Sequence, residues 1–321
     1  MLETLIDWFA LAQQALYESV VQPLVFALGG GNVLELAYEA TGWLLVGLLQ
    51  IAVMLLFIRA LERWRPVEPL RDRAAVRVDV LYTLIHRLGL FRLAMFFALG
   101  PLFDLLGGQL ALLGFSPLHL DELLPGVGDK PLPAFLIYLL VFDFVDYWLH
   151  RAQHQFNWWW ALHALHHSQR QMTMWTDNRN HLLDDVLRSV VFATLAQLIG
   201  VEPGQFVALV ALSQLMESLQ HANLRLWFGP VLERVLVSPR FHRRHHAIGA
   251  GHESTQGRGT LGGCNFGVLL PFWDMLFGTA DFQLRWDATG VRDQLPEEGG
   301  RDYGRGFWAQ QWLGLRRLAG R

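Results

Sequence analysis

Residues 131–167 read PLPAFLIYLLVFDFVDYWLHRAQHQFNWWWALHALHH, and this stretch decides the fold. Its first half is apolar from Pro131 to Leu149 and carries no charge before Asp143. A helix rises about 1.5 Å per residue, so this run nearly crosses a hydrocarbon core of about 30 Å. Two histidine patterns follow directly. The stretch therefore predicts a membrane-spanning helix that delivers a histidine-rich segment to one membrane surface.

Two other apolar runs precede this one. Ala40–Ile58 has no charged residue in 19 positions, and Leu88–Leu106 has Arg92 and Asp104 near its ends. Hydrophobic residues make up 52% of the 321-residue chain and charged residues only 17%, whereas a soluble domain has about a quarter charged residues. We therefore expect an all-α integral membrane bundle of three to four spans.

Two shorter uncharged runs follow the histidine patterns. Ser189–Val201 and Gln205–Met216 are 13 and 12 residues long, which is too short to span comfortably. Together they predict a re-entrant helical hairpin beside the spans. The full expectation is a bundle with this hairpin, capped by a cytosolic histidine-rich helical metal-binding domain.

The loops between the apolar runs differ in charge. Residues 62–87 contain six arginines, whereas residues 107–130 contain one basic residue, Lys130. The positive-inside rule places the first loop in the cytosol, so the third span returns the chain to the cytosol at His150. Because 25 of the 26 basic residues are arginine, composition favours a GC-rich bacterial genome and hence a bacterial inner membrane.

The runs also predict three regions. Residues 1–130 form a membrane-anchoring region that starts with either an interfacial amphipathic helix or an ordinary packed helix. Residues 131–280 form the catalytic domain, and residues 281–321 form a charged, glycine-rich cytosolic tail. The single cysteine, Cys264, excludes an internal disulfide framework. The net charge of −3 argues against a nucleic-acid partner.

Histidine carries the chemistry, since eleven of the 13 histidines lie between His150 and His252. One HxxxH and two HxxHH patterns occur there, with two looser histidines between them. The candidate ligands are His150 and His154; His163, His166 and His167; His242, His245 and His246; and, more loosely, His181 and His221.

Spacings of three and four residues direct imidazoles toward one centre. Eight to ten such nitrogens exceed the four to six ligands of a single transition metal, so the pattern predicts two metals. Imidazole suits iron, zinc, copper and nickel alike. Asp143 and Asp146, seven and four residues before His150, are expected to accept the outer ring N–H of a ligating histidine.

Other residues have a plainer interpretation. The lone histidines His86, His119 and His252 are expected to be structural. His252 begins HESTQ, which lacks the second histidine of a zincin motif. The run Trp158–Trp160 is more typical of an interfacial anchor than of a substrate box.

Together these residues resemble the fatty acid hydroxylase/sterol desaturase superfamily from about Asp143 to Thr279. The similar segments are DYWLHRAQH (146–154), WALHALHHS (160–168), HANL (221–224), SPRFHRRHH (238–246) and NFGVLLPFWDMLFGT (265–279). Within it the chain is most similar to bacterial sterol desaturase-type proteins and the alkylglycerol monooxygenase group. The resemblance implies a cytosol-facing histidine cage that holds two Fe ions, and an O₂-dependent attack on a lipid C–H bond.

The predicted function is therefore hydroxylation or desaturation of a lipid substrate in the bilayer with O₂ and external electrons. No cytochrome b5-like haem motif is present, so a separate redox partner is expected; zinc can replace iron on purification. The alternatives are a membrane metal-binding or transport protein without oxygenase activity, and a bis-histidine haem carrier. Transporters place ligands near the bilayer midplane, whereas these histidines follow a span.

Overall fold

The long apolar runs form the long helices of the chain. The computed structural model describes residues 2–249 and 262–320, and no β-strand occurs in those ranges. The helices are α1 (Leu2–Leu16), α2 (Gln22–Ala27), α3 (Leu34–Val53), α4 (Arg59–Trp64), α5 (Arg73–Arg87), α6 (Leu90–Leu112), α7 (Leu120–Leu123), α8 (Pro131–Gln155), α9 (Asn157–His167), α10 (Leu182–Leu198), α11 (Pro203–His221), α12 (Gly229–Leu232), α13 (Pro239–His245), α14 (Phe272–Leu276) and α15 (Phe307–Leu318). The predicted all-helical class is confirmed.

Three helical segments are long and apolar enough to cross a membrane. They are Gly31–Trp64, Leu90–Leu112 and Pro131–Gln155, and each contains most of one of the three apolar runs predicted to span. The first continues from α3 into α4 through a π-helical turn at Met54–Ile58. These spans are longer than the apolar runs because each helix continues past its apolar centre into the residues that flank it.

The helices group into two compact units, the first made of residues 1–53 and 84–107. In it the Tyr17 and Tyr38 rings meet edge to face with centroids 5.2 Å apart. The Arg92 guanidinium lies 3.3 Å from the centre of the Trp43 ring. A Cβ at Gly47 would lie 1.6 Å from the Arg87 carbonyl oxygen, so only glycine permits this approach.

The second unit comprises residues 54–83 and 108–321, and it contains all ten candidate ligands. One of its apolar clusters is formed by Met54, Ile58, Met174, Trp175, Ala222 and Leu224. The division at residues 130 and 280 stays a prediction, since the compact units follow other limits.

The predicted hairpin corresponds to α10 and α11, which are joined by residues 199–202. Gly200 turns the chain with φ +62°, and a Cβ there would lie 2.8 Å from His119 Nδ1. His119 thus packs against this turn, and the His86 ring contacts Phe91. Whether the hairpin re-enters a membrane stays a prediction, and His252 lies outside the described residues.

Candidate metal centre

Four segments of the second unit bring the histidines together. α8 carries His150 and His154 in its last two turns, and it ends because Phe156 is extended with φ −97° and ψ 120°. This break turns α9 back so that the second histidine pattern faces the first. The remaining histidines come from the end of α11 and from α13 with the residue that follows it. All ten candidate histidines are buried.

Eight of the ten histidines form two groups of four, which we call group A and group B. Each member offers one ring nitrogen, and within a group these nitrogens lie within 4.8 Å of one another. Group A consists of His150, His154, His167 and His245, and group B consists of His166, His221, His242 and His246.

Two outer nitrogens of group A are held by backbone carbonyls. His150 Nδ1 donates to the Phe266 oxygen at 2.8 Å, and His245 Nδ1 donates to the Cys264 oxygen at 2.7 Å. Because a carbonyl can only accept, each Nδ1 carries the proton. In the neutral form of each ring, Nε2 is then left with the lone pair that a metal requires.

The Nε2 atoms of group B converge closely. The nitrogen of His221 lies 3.1 Å from that of His166 and 3.0 Å from that of His242, which in turn lies 3.1 Å from that of His246. With metal–nitrogen bonds of about 2.1 Å, two ligands at a right angle would be about 3.0 Å apart and tetrahedral ligands about 3.4 Å. The spacing of group B therefore fits the edges of a coordination shell.

The electrostatics of group B favour neutral rings. Burial lowers the pKa values of His166, His242 and His246 well below their ordinary value, and neighbouring histidines lower them further. Burial also lowers the pKa of His221, although Asp177 opposes that shift. Neutral imidazole is the form that binds a metal.

His163 lies beside both groups but belongs to neither set of four. Its ring centroid is 5.1 Å from those of His154 and His167, and 5.3 Å from that of His166. Its Nδ1 donates to Asp184 Oδ2 at 3.1 Å, and its buried Nε2 has no hydrogen-bond partner among the described residues. A lone pair at that Nε2 is thus available to a metal.

Asp184 is the carboxylate that orients a histidine here, and sequence reasoning missed it. It also accepts from Gln153 Nε2 at 2.8 Å and from Trp159 Nε1 at 2.6 Å. Burial raises the pKa of Asp184, but the hydrogen bonds from these donors and His163 outweigh it and lower the pKa. The sequence feature that could have identified this carboxylate is the Asp184–Asp185 pair, which begins three residues after His181.

Asp143 and Asp146 do not take the role predicted for them. Asp143 accepts from the backbone N–H groups of Leu269 and Leu270 and from Trp273 Nε1. Asp146 pairs with Arg188 at 2.7 Å. Neither makes a described hydrogen bond to a histidine, because both side chains lie on the part of α8 that faces these other segments.

His181 is not brought into either group. It is the N-cap of α10, where its Nδ1 accepts from the Leu183 N–H at 3.1 Å. Its Nε2 donates to the Gln311 carbonyl in α15 at 2.8 Å. Both ring nitrogens are therefore engaged. A Cβ at Gly314 would lie 2.3 Å from the His181 ring. α15 can therefore pack directly against this ring only because residue 314 is glycine.

Gln310 and Gln311 extend the contact between α15 and the rest of the unit. Gln311 Oε1 accepts from the Leu182 N–H at 2.8 Å, and Gln311 Nε2 donates to the Tyr82 hydroxyl at 3.0 Å. Tyr82 in turn donates to Gln310 Oε1 at 3.0 Å. The cap of α10 is thereby tied to both α15 and α5.

α13 is fixed by a buried ion pair. Ser238 caps this helix by accepting from the Phe241 N–H at 3.1 Å. Arg240, fully buried, donates through Nε to Glu233 at 2.8 Å and through Nη2 at 2.5 Å. Trp227 Nε1 also donates to Glu233. The helix that carries the third histidine pattern is therefore fixed by its own cap and by this ion pair.

A second buried ion pair fixes the end of α9. Arg179 Nη1 donates to Asp79 at 2.9 Å, and its Nε donates to the Leu165 carbonyl at 3.2 Å. Gln169 also donates to Asp79, at 2.6 Å. The HxxHH segment of α9 thus ends against a charge pair that the sequence does not reveal.

The tryptophan run is not simply an interfacial anchor. Trp158 is half-exposed, but Trp159 and Trp160 are buried. The Trp160 ring lies 4.9 Å from His154 and 5.3 Å from His167. The last two tryptophans of the run therefore pack around the histidines, where Trp159 also binds Asp184.

The donor set decides what this site can hold. It consists of buried imidazole nitrogens, and several of the outer ring nitrogens are held by carbonyl or carboxylate oxygens. Such a set suits iron, zinc, copper or nickel rather than magnesium or calcium, which prefer oxygen. Each group of four offers the donors that such a metal binds, so the residues present fit it.

Comparison with known proteins covers the same part of the chain. Residues 135–279 match the model of the family described as fatty acid hydroxylase. The ornithine lipid hydroxylase of Rhizobium tropici is 29% identical over 48% of this chain and 43% of its own length. The alkylglycerol monooxygenase of Danio rerio is 32% identical over 43% of this chain and 28% of its own. A very-long-chain aldehyde decarbonylase of Oryza sativa subsp. indica is 26% identical over 48% and 24%.

The matched region spans less than half the length of each of these relatives. No solved structure matches the chain.

Proposed function

We propose that this chain, whose residues 135–279 match the fatty acid hydroxylase family, is a membrane-bound di-iron oxygenase of the fatty acid hydroxylase/sterol desaturase superfamily. It inserts one oxygen atom of O₂ into a C–H bond of a membrane lipid, with electrons from a separate donor protein. The observation that carries this proposal is the pair of buried four-histidine groups at the end of an apolar helix.

Groups A and B would each hold one iron through four imidazoles. When bound, iron supplies the redox chemistry that lets O₂ attack an unactivated C–H bond. The protein provides the rest: neutral ligands, outer hydrogen bonds that fix ring orientation, and a buried setting that excludes water.

α8 links this centre to the substrate. The helix is apolar from Pro131 to Phe142 and delivers His150 and His154 in its last two turns. An aliphatic lipid chain lying along such a helix would therefore reach the histidines without leaving an apolar environment. This favours a lipid with a long hydrocarbon chain as the substrate class.

The charge of the loops supports a cytosolic orientation. The arginine-rich segment 62–87 should lie in the cytosol, and the histidines at the end of α8 should lie on that same side. A soluble electron donor in the cytosol could then reduce the centre. In a bacterial cell the membrane would be the inner membrane.

The reaction is tested with the full-length protein in lipid nanodiscs. The protein is loaded with iron and supplied with a bacterial lipid extract, isotopically labelled O₂ and an NADPH-driven ferredoxin system. We expect a lipid product with one new hydroxyl group that carries the label. The His245→Ala variant should form none, whereas His86→Ala should match the wild type because His86 lies outside both groups.

Other outcomes separate the alternatives. Loss of two hydrogens without label would identify a desaturase of the same class. Turnover that persists without O₂ or reductant would contradict an oxygenase. In that case metal flux across proteoliposomes would test the transport alternative.

A further inference from the structure

Asn265 has a backbone conformation that no other described non-glycine residue shares. Its φ is +59°, in the left-handed region. Most side chains are strained there, and asparagine is among the few residues that adopt it readily. Asn265 is also fully buried, so its conformation is set by the interior of the protein rather than by a surface turn.

The two neighbours of Asn265 both serve the histidines. The carbonyl of Cys264, just before it, accepts from His245 Nδ1, and the carbonyl of Phe266, just after it, accepts from His150 Nδ1. In an extended strand, carbonyls two residues apart point the same way and lie about 6.6–6.8 Å from each other. The left-handed residue between these two bends the chain at this point, where both carbonyls face histidines of group A.

The side chain of Asn265 holds this local conformation in place. Its Nδ2 donates to the Phe241 carbonyl at 2.9 Å and to the Asp281 carbonyl at 3.1 Å. Its Oδ1 accepts from the Asp281 N–H at 2.6 Å. Both amide hydrogens and the amide oxygen thus bond backbone groups of Phe241 and Asp281, which fasten Asn265 to two other segments.

The rings of group B are held by other groups, although Asn265 Nδ2 also bonds the Phe241 carbonyl next to His242. The outer nitrogen of His221 is held by the Glu217 carbonyl in its own helix, at 2.8 Å. His242 and His246 are positioned by α13, which Ser238 and the Arg240–Glu233 pair fix separately. No described hydrogen bond joins residues 264–266 to a histidine of group B.

We propose that Asn265 is a positioning residue for the metal site of group A alone, acting through the carbonyls on either side of it. This inference rests on the proposed two-metal function. It assigns to Asn265 the orientation of His150 and His245, while the site of group B forms without it.

The test measures Zn²⁺ binding, which needs no turnover. Metal-free full-length protein is titrated with Zn²⁺, and bound zinc per chain is measured by mass spectrometry. We expect two ions in the wild type and about one in Asn265→Ala, whose alanine is strained at this φ and lacks the amide. Asn265→Gly keeps the backbone conformation but loses the amide bonds, and should weaken one ion by about 10- to 100-fold.

Gln310→Ala is the matched control. Gln310 is nearly as buried and its amide also bonds two partners, the Tyr82 hydroxyl and the Gly304 carbonyl, but no described hydrogen bond joins it to a group A residue. This variant should lose thermal stability to a similar degree and still bind two ions. If Asn265→Ala lost an ion only because the protein is less stable, Gln310→Ala would lose an ion as well.

Double variants identify which ion is lost. Adding His245→Ala to Asn265→Ala should cause no further loss, whereas adding His242→Ala should leave the protein without bound zinc. If Asn265→Ala loses both ions together, or retains two at wild-type affinity, the inference is wrong. Should that variant not fold, wild-type affinity for both ions in Asn265→Gly would overturn it equally. A wild type that binds fewer than two ions would instead contradict the proposed function.

Discussion

Groups A and B use the same ligand in the same number but are supported differently. In group A, two rings are oriented by carbonyls of the loop 264–266, which lies more than a hundred residues after α8. In group B, His221 is oriented by a carbonyl of its own helix, and the Nε2 atoms already lie 3.0–3.1 Å apart. Group A thus depends on a long-range loop contact, whereas group B depends mainly on helices.

α9 connects the two groups. Neighbouring residues on a helix point about 100° apart, so His166 and His167 face different groups although they are adjacent in sequence. His163, one turn earlier, lies beside both. The two sites therefore share one helix. A substitution in α9 can affect one site or both, depending on which histidine is replaced.

The largest effect should come from the adjacent pair on α9. His166→Ala and His167→Ala should each reduce bound metal from two ions to about one and abolish turnover, because each removes one ligand from a different group. The double variant should bind almost no metal. Metal content per chain checks this, and a single variant that lost both ions would show that the sites cannot form separately.

Asp184→Asn should produce a smaller effect that is shared between the groups. Asparagine cannot accept from His163, Gln153 and Trp159 together as the carboxylate does, so the His163 ring loses its orientation. We expect affinity for both ions to fall by about 10- to 100-fold, as is usual when the partner of a ligand is removed. Isothermal titration with Zn²⁺ measures both affinities.

Asp185→Asn is the control for this prediction, since the neighbouring carboxylate makes no described contact with His163. It should retain near-normal zinc affinity. Equal weakening in both variants would point to a general electrostatic effect of the acidic pair. Weakening of one ion alone in Asp184→Asn would assign His163 to a single group.

The smallest effect should follow from Ser238→Ala. The variant removes the N-cap of α13 and one hydrogen bond to Glu233, at a cost of about 1 kcal/mol in the free energy of unfolding. Because α13 carries ligands of both groups and the Arg240–Glu233 pair remains, metal content should stay at two. A thermal midpoint a few degrees lower in detergent would confirm this, and loss of metal would contradict it.

Much of this arrangement could be predicted from the sequence because it depends on local periodicity. The apolar runs predicted three helices of spanning length, and the HxxxH and HxxHH spacings predicted which imidazoles share a helix face. Eight of the ten candidate ligands lie in the two groups. His163 could not be separated from them, since spacing alone does not show which side of α9 meets which neighbour.

What sequence reasoning missed depends on contacts between distant segments. Asp143 and Asp146 lie at the correct helical spacing from His150, yet their partners are Trp273 and Arg188, which other segments bring near them. Two histidine rings are instead oriented by backbone carbonyls. Every residue has a carbonyl, so no residue type in the sequence identifies these acceptors. His181 likewise matches a ligand by type but caps a helix.

The contact between α15 and His181 affects the order in which the protein can be assembled during translation. α15 is synthesised after α9 and α10, by roughly 5–30 seconds at an elongation rate of about 5–20 residues per second. Until then the ring of His181, the cap of α10 and the hydroxyl of Tyr82 lack the partners that Gln310 and Gln311 provide. The interior around the histidine-bearing helices can therefore close completely only when the helix with Gly314 has been made.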